Sequence, residues 1–214
     1  MTLVFASNNA HKLSEVRQIM PSHIRVLSLN DIGFTSEIEE NGTTLSENSA
    51  IKAQTIWEYI RRQISDGRCE IDGVFADDTG LEIDALNGAP GVYTARWHMM
   101  SDVRCQMSDG AGLNRAKALR VLTGEHSRGA QFRTVITLIR VNTTHPKGEE
   151  ILQVEGIVRG RIAEEEYGQG GFGYDPIFIP EGYDKTFAEL PAEVKNSISH
   201  RARALEALVK SIQL

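Results

Sequence analysis

The chain has only two cysteines in 214 residues, Cys69 and Cys105, far apart and without the spacing of a metal-ligand pair. That argues against a disulfide-built scaffold and a thiolate metal site. Both read as reduced thiols of a cytosolic protein, a disulfide between them being the less favoured alternative. Long apolar runs are missing too, so no transmembrane segment is expected. The N-terminus, Met1-Thr2-Leu3-Val4-Phe5-Ala6, lacks the length and the basic flank of a signal peptide and reads as a first strand. Positive charge is not in excess: 23 Lys and Arg face 29 Asp and Glu, a formal net charge of −6. Binding of a nucleic-acid polymer relies on a basic face, so this balance argues against it. A small anion held by local lysines or a metal stays open. No repeat and no linker rich in Pro, Gly or Ser divides the chain. What remains is an ordinary globular composition, 41% hydrophobic and 24% charged, with length for one core or two small lobes.

Strand and helix patterns alternate, which gives an α/β class. Residues 2–6 and 24–29 read as strands. Residues 10–20 read as a helix with Leu13, Val16, Ile19 and Met20 on one side. The clearest helix is 45–64. Thr44 and Glu47 form a capping box ahead of an apolar stripe of Ala53, Ile56, Trp57, Ile60 and Ile64. Residues 73–77 and 81–84 read as short strands on either side of an acidic turn, and 111–122 as a helix after Asp109. Gln131–Val141 and Ile151–Val158 read as a hairpin across a turn with Pro146 and Gly148. His98 to Gly112 reads as a loop or lid. Residues 198–213 read as the last helix. The expected architecture is one domain, 1–214, with two lobes and the chemistry in a cleft between them.

Several segments could carry that chemistry. In Phe75-Ala76-Asp77-Asp78-Thr79-Gly80-Leu81 a buried strand stops at two carboxylates. Open α/β sheets bind ligands at that strand edge, and such oxygens suit Mg²⁺ with a substrate phosphate. An Asp-rich turn without chemistry is the plain alternative. Ser7-Asn8-Asn9-Ala10-His11-Lys12 lies between the first strand and the first helix. It would offer backbone donors and a lysine to an anion, although the glycine framework of a P-loop is absent. A helix cap with a solvated lysine is the plainer reading of the segment taken alone. Glu40, before a turn, and Lys52, off its helix's apolar stripe, are candidates against the ordinary reading of surface charges. Gly170-Gly171-Phe172-Gly173-Tyr174-Asp175-Pro176 sets two aromatics in a glycine turn, where a ring can stack on a nucleobase or plug into the core. Ser199, His200 and Arg201 fall in the first turn of the last helix. Cations are unfavourable there, which hints at function.

Taken together, Ser7-Asn8-Asn9 with Lys12, Glu40-Asn41-Gly42 with Glu47-Asn48, Ala50 and Lys52-Ala53, Ala76-Asp77-Asp78-Thr79-Gly80-Leu81, Gly88-Ala89-Pro90-Gly91-Val92-Tyr93 with Ala95-Arg96, the Gly170–Pro176 turn and Ser199-His200-Arg201 resemble the inosine triphosphate pyrophosphatase family, in the family's order and across nearly the whole chain. The resemblance implies an elongated mixed β-sheet with flanking helices and two lobes around a central cleft. It implies Mg²⁺-dependent cleavage of the α–β phosphoanhydride bond of ITP, dITP or XTP, giving the nucleoside monophosphate and pyrophosphate. A cytoplasmic homodimer that binds neither a nucleic-acid polymer nor a membrane completes the expectation.

The resemblance also implies roles. Asp78 would be general base and metal ligand, Glu40 the second metal carboxylate, and Asp77 a reserve ligand. Ser7, Asn8, Asn9, Ala10, His11, Lys12 and Lys52 would cradle phosphates, with Thr79 touching substrate beside Asp78. Phe172 would stack on the purine. Gly173, Tyr174, Asp175, Lys195, His200 and Arg201 would frame the base edge, His200 and Arg201 as donors to its 6-oxo group. Three rival readings stay open: a pyrophosphatase for pyrimidine or methylated bases, a nucleotide-binding module without catalysis, and a phosphatase releasing orthophosphate. His98–Cys105 matches no pattern of the family.

Overall fold

The computed structural model describes residues 1–64, 71–100, 110–142, 144–146 and 148–212. Cys69 and Cys105 lie outside the described residues. Chain order runs β1 (Thr2–Phe5), α1 (Ala10–Ile19), β2 (Arg25–Leu27), α2 (Leu45–Ile64), β3 (Gly73–Ile83), β4 (Pro90–Gly91), α3 (Gly110–Val121), β5 (Gly129–Val141), β6 (Glu149–Ile162), β7 (Phe178–Pro180), α4 (Ala192–Ile198) and α5 (His200–Ile212). The strands form one mixed sheet in the order β2-β1-β3-β5-β6-β7, with β4 paired to β3. β1 is parallel to β2 and β3, while β4 on β3 and β7 on β6 are antiparallel. The class is the mixed α/β expected.

Two compact units share the chain: Met1–Asp78 with Thr134–Gly156 and Arg201–Leu214, and Thr79–Arg133 with Ile157–His200. In the first, strand alternation sorts the core onto two faces. Leu3, Phe5 and Phe75 pack with Val16 of α1, with Met20 that caps it, and with Ala204, Leu205 and Leu208 of α5. Val4, Ala6, Val74 and Ala76 pack with Ala53, Ile56, Trp57 and Ile60 of α2. Burying each of these α2 side chains contributes about 1.5–3 kcal/mol for the larger ones. The α2 start is the expected capping box: Thr44 Oγ1 accepts from Glu47 N at 3.1 Å and Glu47 Oε2 accepts from Thr44 N at 3.1 Å. The second unit has its own core, in which Leu81, Ile83, Phe132, Val158, Phe178 and Phe187 meet Trp97, Ala118 and Leu122.

Three expectations are corrected. The acidic segment is no turn: β3 runs unbroken through Asp77-Asp78-Thr79-Gly80. Buried cations neutralise the two carboxylates, which lets a strand carry residues that ordinarily favour turns. The last helix does not begin at residue 198: Ile198 ends α4, the extended backbone of Ser199 closes that helix, and α5 starts at His200. Of the His98–Gly112 loop, His98–Met100 follow a kink at Arg96 in the 3-10 segment Thr94–Met100, and Gly110–Gly112 open α3. Residues 101–109 of that loop lie outside the described residues.

Candidate active site

In the first unit, alternation sends Asp77 and Asp78 to opposite faces of β3. On the face covered by α1 and α5, Asp77 Oδ1 accepts from Lys12 Nζ at 2.9 Å and Asp77 Oδ2 accepts from Arg201 Nε at 3.0 Å. Arg201 donates through Nη1 to Glu15 of α1 as well. Asp77 and Arg201 are each 1% exposed. Burial works against the Asp77 carboxylate, but Lys12 and Arg201 beside it hold its carboxyl well below the usual carboxylate range. Burial likewise works against the Arg201 charge, and Asp77 and Glu15 hold the group above its ordinary value. For Lys12 burial prevails over Asp77 and lowers the ammonium, with Arg201 and Lys52 adding to the effect.

The α2 face is different. Lys52 Nζ lies 3.1 Å from Asp78 Oδ1 and 3.2 Å from Glu40 Oε2. Burial pushes the Asp78 carboxyl up, outweighing Lys52 and Lys12. Lys52 is lowered by burial but held above its ordinary value by Asp78, Asp77 and Glu40. Asp78 Oδ2 is buried and makes no hydrogen bond within the protein. One oxygen is thus tied to a cation and the other is bare, which suits a proton acceptor or a metal ligand.

The Ser7–Lys12 segment behaves partly as a cap. Asn9 Oδ1 accepts from His11 N at 3.0 Å and from Lys12 N at 3.1 Å, and Ser7 Oγ accepts from Asn9 N at 3.2 Å. Three backbone donors of the segment expected to meet an anion are therefore engaged by the chain itself. Asn8, Asn9, Ala10 and His11 are exposed.

The second unit holds the aromatic turn. Asp175 Oδ2 accepts from Phe172 N and from Lys195 Nζ, each at 2.7 Å. The Lys195 ammonium sits 4.9 Å from the Phe172 ring centroid. Gly171 has φ +71°, and a Cβ there would collide with Asp175, so glycine is required. Gly173 O accepts from Arg115 Nη1 at 2.9 Å, and Tyr174 Oη donates to Thr94 O at 3.0 Å. Burial pushes the Tyr174 phenol up. His200 is 5% exposed and stacks on Phe132, centroids 4.7 Å apart. Thr79 is half-buried in β3.

The structure thus gathers Lys12, Glu40, Lys52, Asp77, Asp78 and Arg201 in one unit, and Phe172, Gly173, Tyr174, Asp175, Lys195, His200 and Thr79 in the other. Arg201 is placed on the Asp77 side, with its guanidinium engaged by carboxylates. Sequence reasoning did not single out Glu15 or Arg115. Glu15 stands three residues after Lys12, on the same side of α1, which was a usable signal. Nothing in the sequence marks Arg115.

Among the described residues, no group of three or more His, Cys, Asp or Glu is arranged to hold a metal. Mg²⁺ needs no such cage, because it is bound through one or two carboxylates, waters and substrate phosphates. The bare Asp78 Oδ2 and the nearby Glu40 fit that requirement, so these two residues would hold the ion.

The model of the Ham1 family matches residues 3–211. A dITP/XTP pyrophosphatase of Flavobacterium johnsoniae is 43% identical over 209 residues, 98% of this chain and 96% of that protein. The dITP/XTP pyrophosphatase of Bacillus subtilis is 42% identical over 213 residues, 98% and 96% of the two chains. Among solved structures, the Staphylococcus aureus Ham1 protein matches with a TM-score of 0.78 at 34% identity, covering 100% of this chain and 98% of the other.

Proposed function

The chain belongs to the Ham1 family, and on that footing we propose that it cleaves ITP, dITP and XTP at the α–β phosphoanhydride bond, giving the nucleoside monophosphate and pyrophosphate. The observation that carries the reading is Asp78: a buried carboxylate, raised in pKa, with one oxygen on Lys52 and the other bare. The similar proteins bear the name dITP/XTP pyrophosphatase.

Displacement at a phosphate anion needs positioning and charge neutralisation more than covalent help. Asp78 orients a water and accepts its proton as the water oxygen bonds to the α-phosphorus. The α–β bridging bond then breaks, and pyrophosphate leaves. Lys12 and Lys52 each have three N–H donors and keep some for phosphate oxygens beyond their carboxylate bonds. Mg²⁺, when bound by Asp78 and Glu40, would neutralise phosphate charge. In the second unit, Phe172 offers a ring for stacking on the purine. Lys195 and His200 are donors suited to a 6-oxo group, where adenine would present an amine donor instead of an acceptor. A ligand that lacks the matching acceptor forgoes a hydrogen bond worth about 0.5–1.5 kcal/mol. The proposal extends to a homodimer in the cytoplasm that removes deaminated purines from the nucleotide pool. No helix among the described residues is long and apolar enough to cross a membrane.

The test is product analysis with dITP, dATP and dGTP, with and without Mg²⁺. Pyrophosphate from dITP, dependent on Mg²⁺ and far above the other two, is expected. Orthophosphate as product, or equal rates on all three, would overturn the reading.

A further inference from the structure

Asn48 is 1% exposed, and its Nδ2 makes no hydrogen bond within the protein. Its amide orientation is not arbitrary. The other terminal atom, Oδ1, accepts from Gly42 N at 2.8 Å, and only an oxygen can do that. The donor end therefore points away from the Gly42 loop. A buried amide donor with no partner is rare and calls for an explanation.

Its surroundings supply one. Asn48 stands one helical turn before Lys52, on the same side of α2. Lys52 Nζ bonds Asp78 Oδ1, and Asp78 Oδ2 is a second buried side-chain atom without a hydrogen bond. Glu40, the other carboxylate on Lys52, lies two residues before the Gly42 that Asn48 holds. Lys52 thus has a bare donor one helical turn before it on α2 and a bare acceptor on the carboxylate that its ammonium binds. Gly42 is packed so closely that a Cβ there would meet both Asn48 Oδ1 and Glu47 Cβ, so the amide has little freedom to turn away.

We infer that Asn48 is a substrate-binding residue: its Nδ2 donates to an oxygen of the polyphosphate held by Lys52, while its Oδ1 fixes the loop that presents Glu40. A neutral donor at this point adds a directional contact without adding charge to a buried cluster already rich in ions. The inference rests on the pyrophosphatase reading above.

Binding of inorganic pyrophosphate, in the presence of Mg²⁺, tests it by calorimetry on three proteins. Asn48→Asp keeps the acceptor for Gly42 N and deletes the donor; Asn48→Ala deletes the donor without adding charge. A hydrogen bond to a charged oxygen lost in this way weakens binding about tenfold to a hundredfold. Both variants are expected to show that loss. If only Asn48→Asp weakens binding, charge repulsion is the cause and the inference fails; it fails too if neither does. Should Asn48→Ala not fold, nuclear magnetic resonance of the wild type decides. The Asn48 side-chain amide protons, identified by their disappearance in Asn48→Asp, are expected to move downfield as pyrophosphate saturates the protein. Unmoved protons in a protein that binds pyrophosphate overturn the inference alone. Wild-type protein that binds no pyrophosphate overturns it together with the phosphate-site reading.

Discussion

Arg201 and Asp77 are 124 residues apart in the chain, yet Arg201 Nε donates to Asp77 Oδ2 at 3.0 Å in a site from which water is excluded. The guanidinium that opens α5 is thereby fastened to the central strand and, through Glu15, to α1. Removing one partner of such a group leaves uncompensated buried charge, which costs about 3–5 kcal/mol. Arg201→Ala is therefore expected to lower the melting temperature by about 10 °C for a chain of this length. Calorimetry checks it; a shift of a degree or two would mean that the pair contributes nothing.

Acid sensitivity follows from the same cluster. Asp77 has a folded pKa depressed below its ordinary 3.8 by Lys12 and Arg201 against the effect of burial. A depressed carboxyl contributes stability that is present above the unfolded value and lost as pH falls through the folded one. In metal-free protein, urea midpoints should therefore fall as pH drops below about 4. In Asp77→Asn this part of the slope should be absent. An identical slope in the variant would assign acid sensitivity to other carboxyls.

Phe172 offers a separable test of the base side. Its ring stands over the Lys195 ammonium, and its backbone is clamped by Asp175. Stacking on a base is worth about 1–3 kcal/mol, so Phe172→Leu should raise KM for dITP about fivefold to a hundredfold. Inorganic pyrophosphate binding should not change. Equal loss of both would show that Phe172 acts on the fold and not on the base.

Much of this was legible in the sequence where the signal is local. The Thr44–Glu47 capping box, the Ala53, Ile56, Trp57 and Ile60 part of the α2 stripe, and the Leu13, Val16, Ile19 and Met20 face of α1 and its cap all appear as read, because period and cap chemistry depend on neighbours a few residues away. Asp77-Asp78-Thr79-Gly80 misled for the opposite reason. Its propensity is that of a turn, and the cations that keep it in a strand come from Lys12, Lys52 and Arg201, far off along the chain. Arg201 looked like a misplaced cation at a helix start; the dipole cost is offset by carboxylates that no spacing rule could place beside it. Asn48 stands within the pattern that carries the family resemblance, but nothing in its local chemistry separates it from an ordinary polar residue near the start of a helix.

The central claim is that two adjacent carboxylates on opposite faces of one strand have different duties, and paired variants test it most directly. Asp78→Asn is expected to melt close to the wild type and to lose about 10²–10⁴-fold in kcat on dITP. Asp77→Asn is expected to melt about 10 °C or more below it, because Arg201 and Lys12 lose their shared partner. An Asp78→Asn protein that keeps its turnover, or an Asp77→Asn protein that melts like the wild type, would contradict the account.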